Sequence, residues 1–197
     1  MSCSHPIVIN GRICSCGKCI NCRKRRISDW AVRLQLESRS YKHNCSFITL
    51  TYNNENCPSD YTLRKRDYQL FLKRLRKKLD KFNIKIRYFV CGEYGEKFGR
   101  PHYHLIVFGL PVGMVQLVKK AWNKGFIKML NVGFKQCRYV AKYCVKQFAK
   151  ERVNAETGEV ISEFVEMSRR PGIAKDYFFD HAIQCCYDGC VKIRGIS

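Results

Sequence analysis

No run of the chain is apolar over the roughly 20 residues that a bilayer-spanning helix needs, and the opening MSCSHPIVIN lacks the charged-then-apolar pattern of an export signal. Neither a membrane partner nor an oxidising destination is therefore expected. Acid is scarce too: 16 Asp and Glu face 37 Lys and Arg, a formal net charge of +21. Such an excess repels itself unless a polyanion is near, and with membrane set aside that polyanion is nucleic acid. A GxxxxGK[ST] phosphate loop is missing, which excludes a helicase that runs on its own nucleotide hydrolysis. Internal repeats and low-complexity segments are missing as well.

What is present can fold. With 46% hydrophobic and 13% aromatic residues over 197 positions, the chain can bury one main core. Its 13 cysteines, an odd number, cannot all pair within one chain. Without an export signal they point to a reducing compartment, where thiols stay free or bind metal. The densest group is CSCGKCINC, with Cys14, Cys16, Cys19 and Cys22. Thiolates so close together favour a soft ion such as Zn²⁺. The spacing is not that of two CxxC knuckles, Cys16, Cys19 and Cys22 also match part of an iron–sulfur run, and reduced, partly buried cysteines are a third reading. Cys3, His5, Cys185, Cys186 and Cys190 are candidate distant ligands.

Periodicity predicts an α+β pattern. Ile27, Trp30, Ala31, Leu34, Ser38 and Tyr41 follow helical spacing, giving an amphipathic helix over 23–40. CSFITLTY reads as a strand and NNENCPSD as a loop. A second helix over 63–82 carries Tyr68, Phe71, Leu72, Leu75, Leu79 and Phe82 on one face. Its other face bears Lys73, Arg74, Lys77 and Lys78 without compensating acid, which suits contact with phosphates. IKIRYFVCGE and PHYHLIVFG are the next strands, then a short helix over 112–122, a strand in GFIKML and a last helix over 135–150. NAETGEV reads as a turn, and the tail beyond it stays unassigned.

Two places carry chemistry. Side chains alternate along a strand, so His102 and His104 point to one face while Tyr103, Leu105 and Val107 point to the other. The short loop YGEKFGRP can return the chain antiparallel and bring Glu93 to the histidines. Two imidazoles and a carboxylate make a mixed N/O site suited to Mg²⁺ or Mn²⁺ acting on phosphate. In KQCRYVAKYCVKQFAK, at about 100° per residue, Cys137, Val140, Ala141, Cys144, Val145 and Phe148 form an apolar stripe. Tyr139 and Tyr143 fall on nearly the opposite face with Lys142 and Lys146, where core tyrosines would not be. Nearby lysine charges favour a phenolate, and a phenolate can attack a DNA phosphodiester to leave a covalent phosphotyrosine and a 3′ hydroxyl. A second tyrosine would allow another cleavage while the first end is held.

In this order FITLTYN, PHYHLIVFG and YVAKYCVK resemble the three motifs of the HUH endonuclease superfamily, in the two-tyrosine class that initiates rolling-circle replication. CGKCINCRKRRISDW, CGEYGEKFGRPHYH and MSRRPGIAKDYF resemble more specifically the replication initiators of gokushovirus-type microviruses, small single-stranded DNA phages. The similarity runs from Cys16 to Phe178. It implies a central antiparallel sheet of about five strands flanked by helices, with His102 and His104 as metal ligands, Glu93 as the acidic third ligand, and Tyr139 and Tyr143 as nucleophiles. Lys142 and Lys146 match lysines that follow the tyrosines, and Thr49 and Thr51 lie in the first motif, in a supporting role. Lys73, Arg74, Lys77, Lys78 and Arg100 are the expected DNA contacts. The organisation expected is a cysteine-rich, candidate zinc-binding segment over 1–22 and an HUH domain with a C-terminal extension over 23–197. Single-stranded and origin DNA would be the substrate, a host helicase and DNA polymerase the partners, and the bacterial host cytoplasm the compartment. The chain is short for such an initiator, so further residues are expected beyond Ser197. Three other readings stay open: a relaxase or transposase using the same site, a non-catalytic zinc-dependent nucleic-acid binder, and a zinc hydrolase built on His102, His104 and Glu93.

Overall fold

Runs of β-branched and aromatic residues, separated by amphipathic helices, set the order of elements in the chain. A computed structural model describes residues 2–42, 44–96, 98–145 and 150–182. A small hairpin, β1 (Ile7–Ile9) and β2 (Arg12–Cys14), precedes α1 (Ile20–Ser40), and β3 (Cys45–Tyr52) follows. Next come α2 (Lys65–Leu79), β4 (Arg87–Tyr94), β5 (Pro101–Phe108), α3 (Val115–Ala121), β6 (Gly125–Asn131) and α4 (Phe134–Ala141). A second hairpin, β7 (Glu151–Val153) and β8 (Val160–Ser162), leads to β9 (Phe164–Met167) and α5 (Lys175–Asp180). The fold is α+β: a five-stranded antiparallel sheet of order β6-β3-β5-β4-β9 flanked by helices. Among the described residues no helix is long and apolar enough to cross a membrane.

The sheet is covered on both faces, and β5 lies at its centre. Tyr103, Leu105 and Val107 pack with Ile48 and Leu50 of β3 under Phe71 and Leu75 of α2. Ile106 and Phe108 pack with Phe47 and Phe89 under Ala31 and Leu34 of α1 and Val140 of α4. The helix over α2 ends as its sequence dictates: a tight turn over Asp80–Phe82 is closed by Asn83 in the left-handed region, at φ 52°.

Three differences from the sequence reading have physical causes. α1 starts at Ile20, inside the cysteine segment, because Cys19 serves as its extended N-cap. The last helix is shorter than 135–150: α4 stops at Ala141 and tightens into a 3₁₀ turn over Lys142–Cys144. Residues 146–149, and with them Lys146 and Phe148, lie outside the described residues, as do Cys185, Cys186 and Cys190. The fifth strand, β9, comes from the unassigned tail. Its four residues are too few for a periodic signal, and they are strand because β4 supplies a pairing edge from Phe89 to Gly92. Gly92 is required there, since a Cβ would meet the Phe164 ring at 2.6 Å.

A buried ion pair ties the layers together. Glu37 of α1, 2% exposed, meets Arg87 of β4 at 3.2 Å and accepts the Ala174 N–H at 2.6 Å. Arg87 also donates to the Pro171 carbonyl at 2.6 Å, and Arg33 to the Ile173 carbonyl at 3.0 Å. The segment MSRRPGIAKDYF is thus pinned to α1. Burial pushes the Glu37 carboxyl up, against the opposing pull of the Ala174 amide and Arg87. Arg87→Met should therefore destabilise the fold by about 3–5 kcal/mol, because it strands a buried carboxylate. Urea unfolding should show Glu37→Met combined with Arg87→Met recovering part of that loss, the Ala174 N–H alone being left without its acceptor; a double variant no better than the single one would contradict the account.

Candidate active site

Register places the histidines. In the β3–β5 ladder Thr49 faces His104 and Thr51 faces His102, and in the β4–β5 ladder Glu93 faces His102. Residues directly opposite share a face, so both threonines, both histidines and Glu93 converge on the side covered by α1 and α4. Thr49 Oγ1 lies 3.0 Å from His104 Nδ1, and Thr51 Oγ1 lies 3.0 Å from His102 Nδ1. Each ring is held by Nδ1, which leaves Nε2 for the site. His104 Nε2 is 3.2 Å from Glu93 Oε1, and its ring stacks on Phe47 at 5.8 Å. The two imidazole centroids are 6.4 Å apart.

The electrostatics suit a cation. Burial, and then the neighbouring His104, lower the His102 pKa and favour its neutral, metal-binding form. Burial alone would push the Glu93 carboxyl up; hydrogen bonding and charge from His104 and the Tyr139 hydroxyl outweigh it and hold Glu93 below its ordinary value. Two imidazole nitrogens and an ionised carboxylate fit a hard divalent ion with positions left open.

Tyr139 closes this group. Its hydroxyl donates to Glu93 Oε2 at 3.2 Å and Oε1 at 3.3 Å, and lies 3.4 Å from His104 Nε2. The Tyr143 hydroxyl donates to the Tyr139 oxygen at 3.4 Å. The expectation that both tyrosines lie away from the apolar stripe does not hold. Tyr139 is half-buried, its ring edge-on to His104 at 5.1 Å and to Phe47 at 6.1 Å. A helical wheel records only the stripe of one helix; here the sheet beneath α4 is itself polar at the histidines. Lys142 stands 5.9 Å from the Tyr139 ring. Its charge does not decide the titration: burial, then Glu93, push the phenol up.

Beside these groups opens a cavity of about 280 Å³ lined by Phe47, His104, Lys135, Gln136 and Tyr139. Lys135 was not singled out from sequence, where it is one cation among 37. Phe126, Lys128 and Leu130 of β6 were missed as well. They face Thr51, Thr49 and Phe47 in the ladder, so they share the histidine face, and Phe126 is 66% exposed. GFIKML reads as apolar throughout, and only pairing shows which alternate residues stay uncovered.

The expected DNA contacts are not all brought together. Lys73, Arg74, Lys77 and Lys78 belong to α2, on the opposite side of the sheet from the histidines. There a separate cleft of about 450 Å³ surrounds Phe82 with Arg74, Lys77, Lys78, Lys81 and Lys120. Arg100 lies at the mouth of β5, donating to the Tyr52 carbonyl at 2.8 Å and Asn54 Oδ1 at 2.7 Å.

The cysteine expectation needs correction. Among the described residues Cys3, Cys16, Cys19 and Cys22 are grouped, with all sulfurs within 4.8 Å of one another. Cys14 is not a member: it lies in β2, and Cys3 takes its place. A hairpin brings residues 3 and 16 together, which spacing within 14–22 cannot reveal. His5 is also outside the group, 3.1 Å from Ser4 Oγ. Hydrogen bonds led by Ser4 bring the Cys19 thiol down to about 5, while removal from water pushes Cys22 up to about 11.

A family model for the ORF2-type replication-associated protein matches residues 45–148, which span β3 through the tyrosines and include the histidine strand. The chain belongs to this family. Among its relatives, replication-associated protein VP4 of Bdellovibrio phage phiMH2K is 34% identical over 154 residues, covering 68% of this chain and 48% of the relative. Replication-associated protein ORF2 of Spiroplasma virus 4 is 30% identical over 84% of this chain and 57% of its own length. Replication-associated protein ORF4 of Chlamydia phage 1 is 31% identical over 86% and 47%. The chain thus spans about half the length of the curated relatives it matches. The N-terminal nuclease domain of the minute virus of mice non-structural protein 1 overlaps 90% of this chain and 73% of its own at 11% identity and a TM-score of 0.24, too low to say anything of this fold.

The threonines give the site a direct test. Removing the hydroxyl in Thr51→Val frees His102 Nδ1, and loss of such a supporting bond costs about 10–100-fold in metal affinity. Titration calorimetry with Mn²⁺ should show that loss with the fold intact by circular dichroism. Unchanged affinity would mean that the ring needs no support.

Proposed function

We propose that this chain is the nuclease part of a replication initiator, nicking and rejoining one DNA strand through a covalent 5′-phosphotyrosine. The observation that carries this reading is the approach of the Tyr139 hydroxyl to Glu93 and His104 within 3.4 Å. A phenol that served only packing would not need to end on two groups of a cation site. Family membership favours an origin of replication, in a single-stranded DNA phage genome, over relaxase or transposase substrates.

His102, His104 and Glu93 would hold Mg²⁺ or Mn²⁺, which supplies electrophilic activation of the scissile phosphate. The Tyr139 oxygen attacks phosphorus as Glu93 accepts its proton; the new O–P bond forms as the P–O3′ bond breaks, and the departing 3′ oxygen takes up a proton to leave as a hydroxyl. The retained phosphotyrosine ester keeps the reaction reversible. Tyr143, next to Tyr139, serves the second cleavage or joining step, with Lys142 and Lys146 bearing on the charge of the two phenols. The single strand crosses the exposed face of β6, stacking a base on Phe126 and setting a phosphate near Lys128 or Lys135. The basic cleft of α2 and Arg100 take flanking DNA. At 1–22 the cysteine group suits a softer ion, Zn²⁺, while 23–197 forms the nuclease domain with its extension. Strand separation and synthesis fall to a host helicase and polymerase in the bacterial cytoplasm.

End-labelled single-stranded origin DNA with Mn²⁺ should yield an adduct that survives denaturation. His104→Ala should abolish the adduct yet keep most salt-sensitive binding. Tyr139→Phe should lose more of it than Tyr143→Phe, and the double Phe variant all of it. Phe126→Ala should weaken binding by about 1–3 kcal/mol, the worth of one stacked base. An adduct persisting in the double variant, or formed fully in EDTA, would defeat the reading.

A further inference from the structure

We infer that Cys3, Cys16, Cys19 and Cys22 form a tetrathiolate clasp for a single Zn²⁺, and that this clasp fixes the start of the helix on which the tyrosine helix rests. The Cys3 and Cys19 sulfurs are 3.8 Å apart and those of Cys16 and Cys22 are 4.0 Å apart. Tetrahedral coordination at a Zn–S distance of about 2.3 Å sets ligand sulfurs about 3.8 Å apart. A disulfide would require about 2.05 Å, and a cluster of several irons spreads its thiolates more widely. Backbone amides complete the nest: the Cys16 N–H donates to Cys3 Sγ and the Cys19 N–H to Cys16 Sγ, each at 3.3 Å. Such donors favour sulfur in its anionic form. On binding, each thiol that still carries a proton releases it to solvent as its sulfur–zinc bond forms.

The surroundings say what the clasp is for. Between Cys3 and Cys16 lies the β1–β2 hairpin, whose Ile7, Val8, Ile9 and Ile13 are all exposed. The hairpin buries too little apolar surface to hold itself in place, so a metal must supply the missing stability. Cys19 is the N-cap of α1 and Cys22 lies in its first turn. One ion therefore joins the chain before β1, the loop after β2 and the helix start. Downstream, α1 packs along α4, which carries Tyr139. The clasp and the histidine site are thus separate metal centres with different tasks. The link to tyrosine placement rests on the nuclease reading; the ion and its ligands do not.

Protein purified from zinc-supplemented cells without chelator should contain about one Zn²⁺ per chain by plasma mass spectrometry. Cys3→Ser should cut that content at least about fivefold, whereas Cys14→Ser should leave it unchanged. Co²⁺ in place of zinc should give the intense visible and sulfur charge-transfer bands of tetrahedral thiolate coordination, and removal of the ion should lower Tm. If Cys3→Ser does not fold, alkylation of wild-type protein with and without zinc decides the ligands: Cys3, Cys16, Cys19 and Cys22 protected, Cys14 modified in both. Zinc-free wild-type protein, an iron–sulfur spectrum, or zinc loss in Cys14→Ser would each overturn the clasp, whatever the nicking assay shows. Conversely, a zinc-loaded protein that forms no adduct would defeat the nuclease reading and leave the clasp standing.

Discussion

The alternation of β5 governs the rest of the structure. Because successive side chains leave a strand on opposite faces, one eight-residue segment feeds two environments. Tyr103, Leu105 and Val107 close the core under α2, while His102 and His104 are delivered to the other side. Ile106 and Phe108, on the histidine side, anchor α1 and α4 a short way along the same strand. The apolar end of this face fixes the helix that carries Tyr139; its polar end receives the hydroxyl. A register slip of one residue would send both imidazoles into the α2 core.

Within that frame Glu93 has two duties. It accepts the hydroxyl proton of Tyr139, and it completes the nitrogen–oxygen donor set. Its charge is one cause of the raised phenol pKa, after burial. Once that charge is compensated, Glu93 no longer favours the protonated phenol, so cation binding and nucleophile activation are linked through a single carboxylate. Support comes from behind, through the threonine hydroxyls on β3 and the buried Glu37–Arg87 pair that locks α1 against β4.

Much of this was legible in the sequence where a local period carries the information. The strands from Cys45 and Pro101, the α2 stripe, and the shared face of the histidines follow from periods of 2 and 3.6. Glu93 was reachable because a short loop joins its strand to the histidine strand. Features set by pairing across long separations were not legible. Cys3 replaces Cys14 because a hairpin folds back; β9 is strand because β4 offers an edge; Phe126 is exposed because α1 and α4 leave the β6 side of the sheet uncovered. Glu37, a lone acid in a basic helix, gave no sign that it meets Arg87 across the layers. Tyr139 misled in an instructive way: the wheel placed it on the polar face, and the polar face proved to be the interior of the site.

The central claim is that Tyr139 is the first nucleophile in a metal-assisted strand transfer. Digesting the protein–DNA adduct after a single turnover and sequencing the nucleotide-bearing peptide by mass spectrometry tests it most directly. The account predicts a 5′-phosphoryl nucleotide on the Tyr139 phenol in the wild-type chain. A nucleotide carried by a serine, a cysteine or a tyrosine outside α4 and the turn that follows it would contradict it.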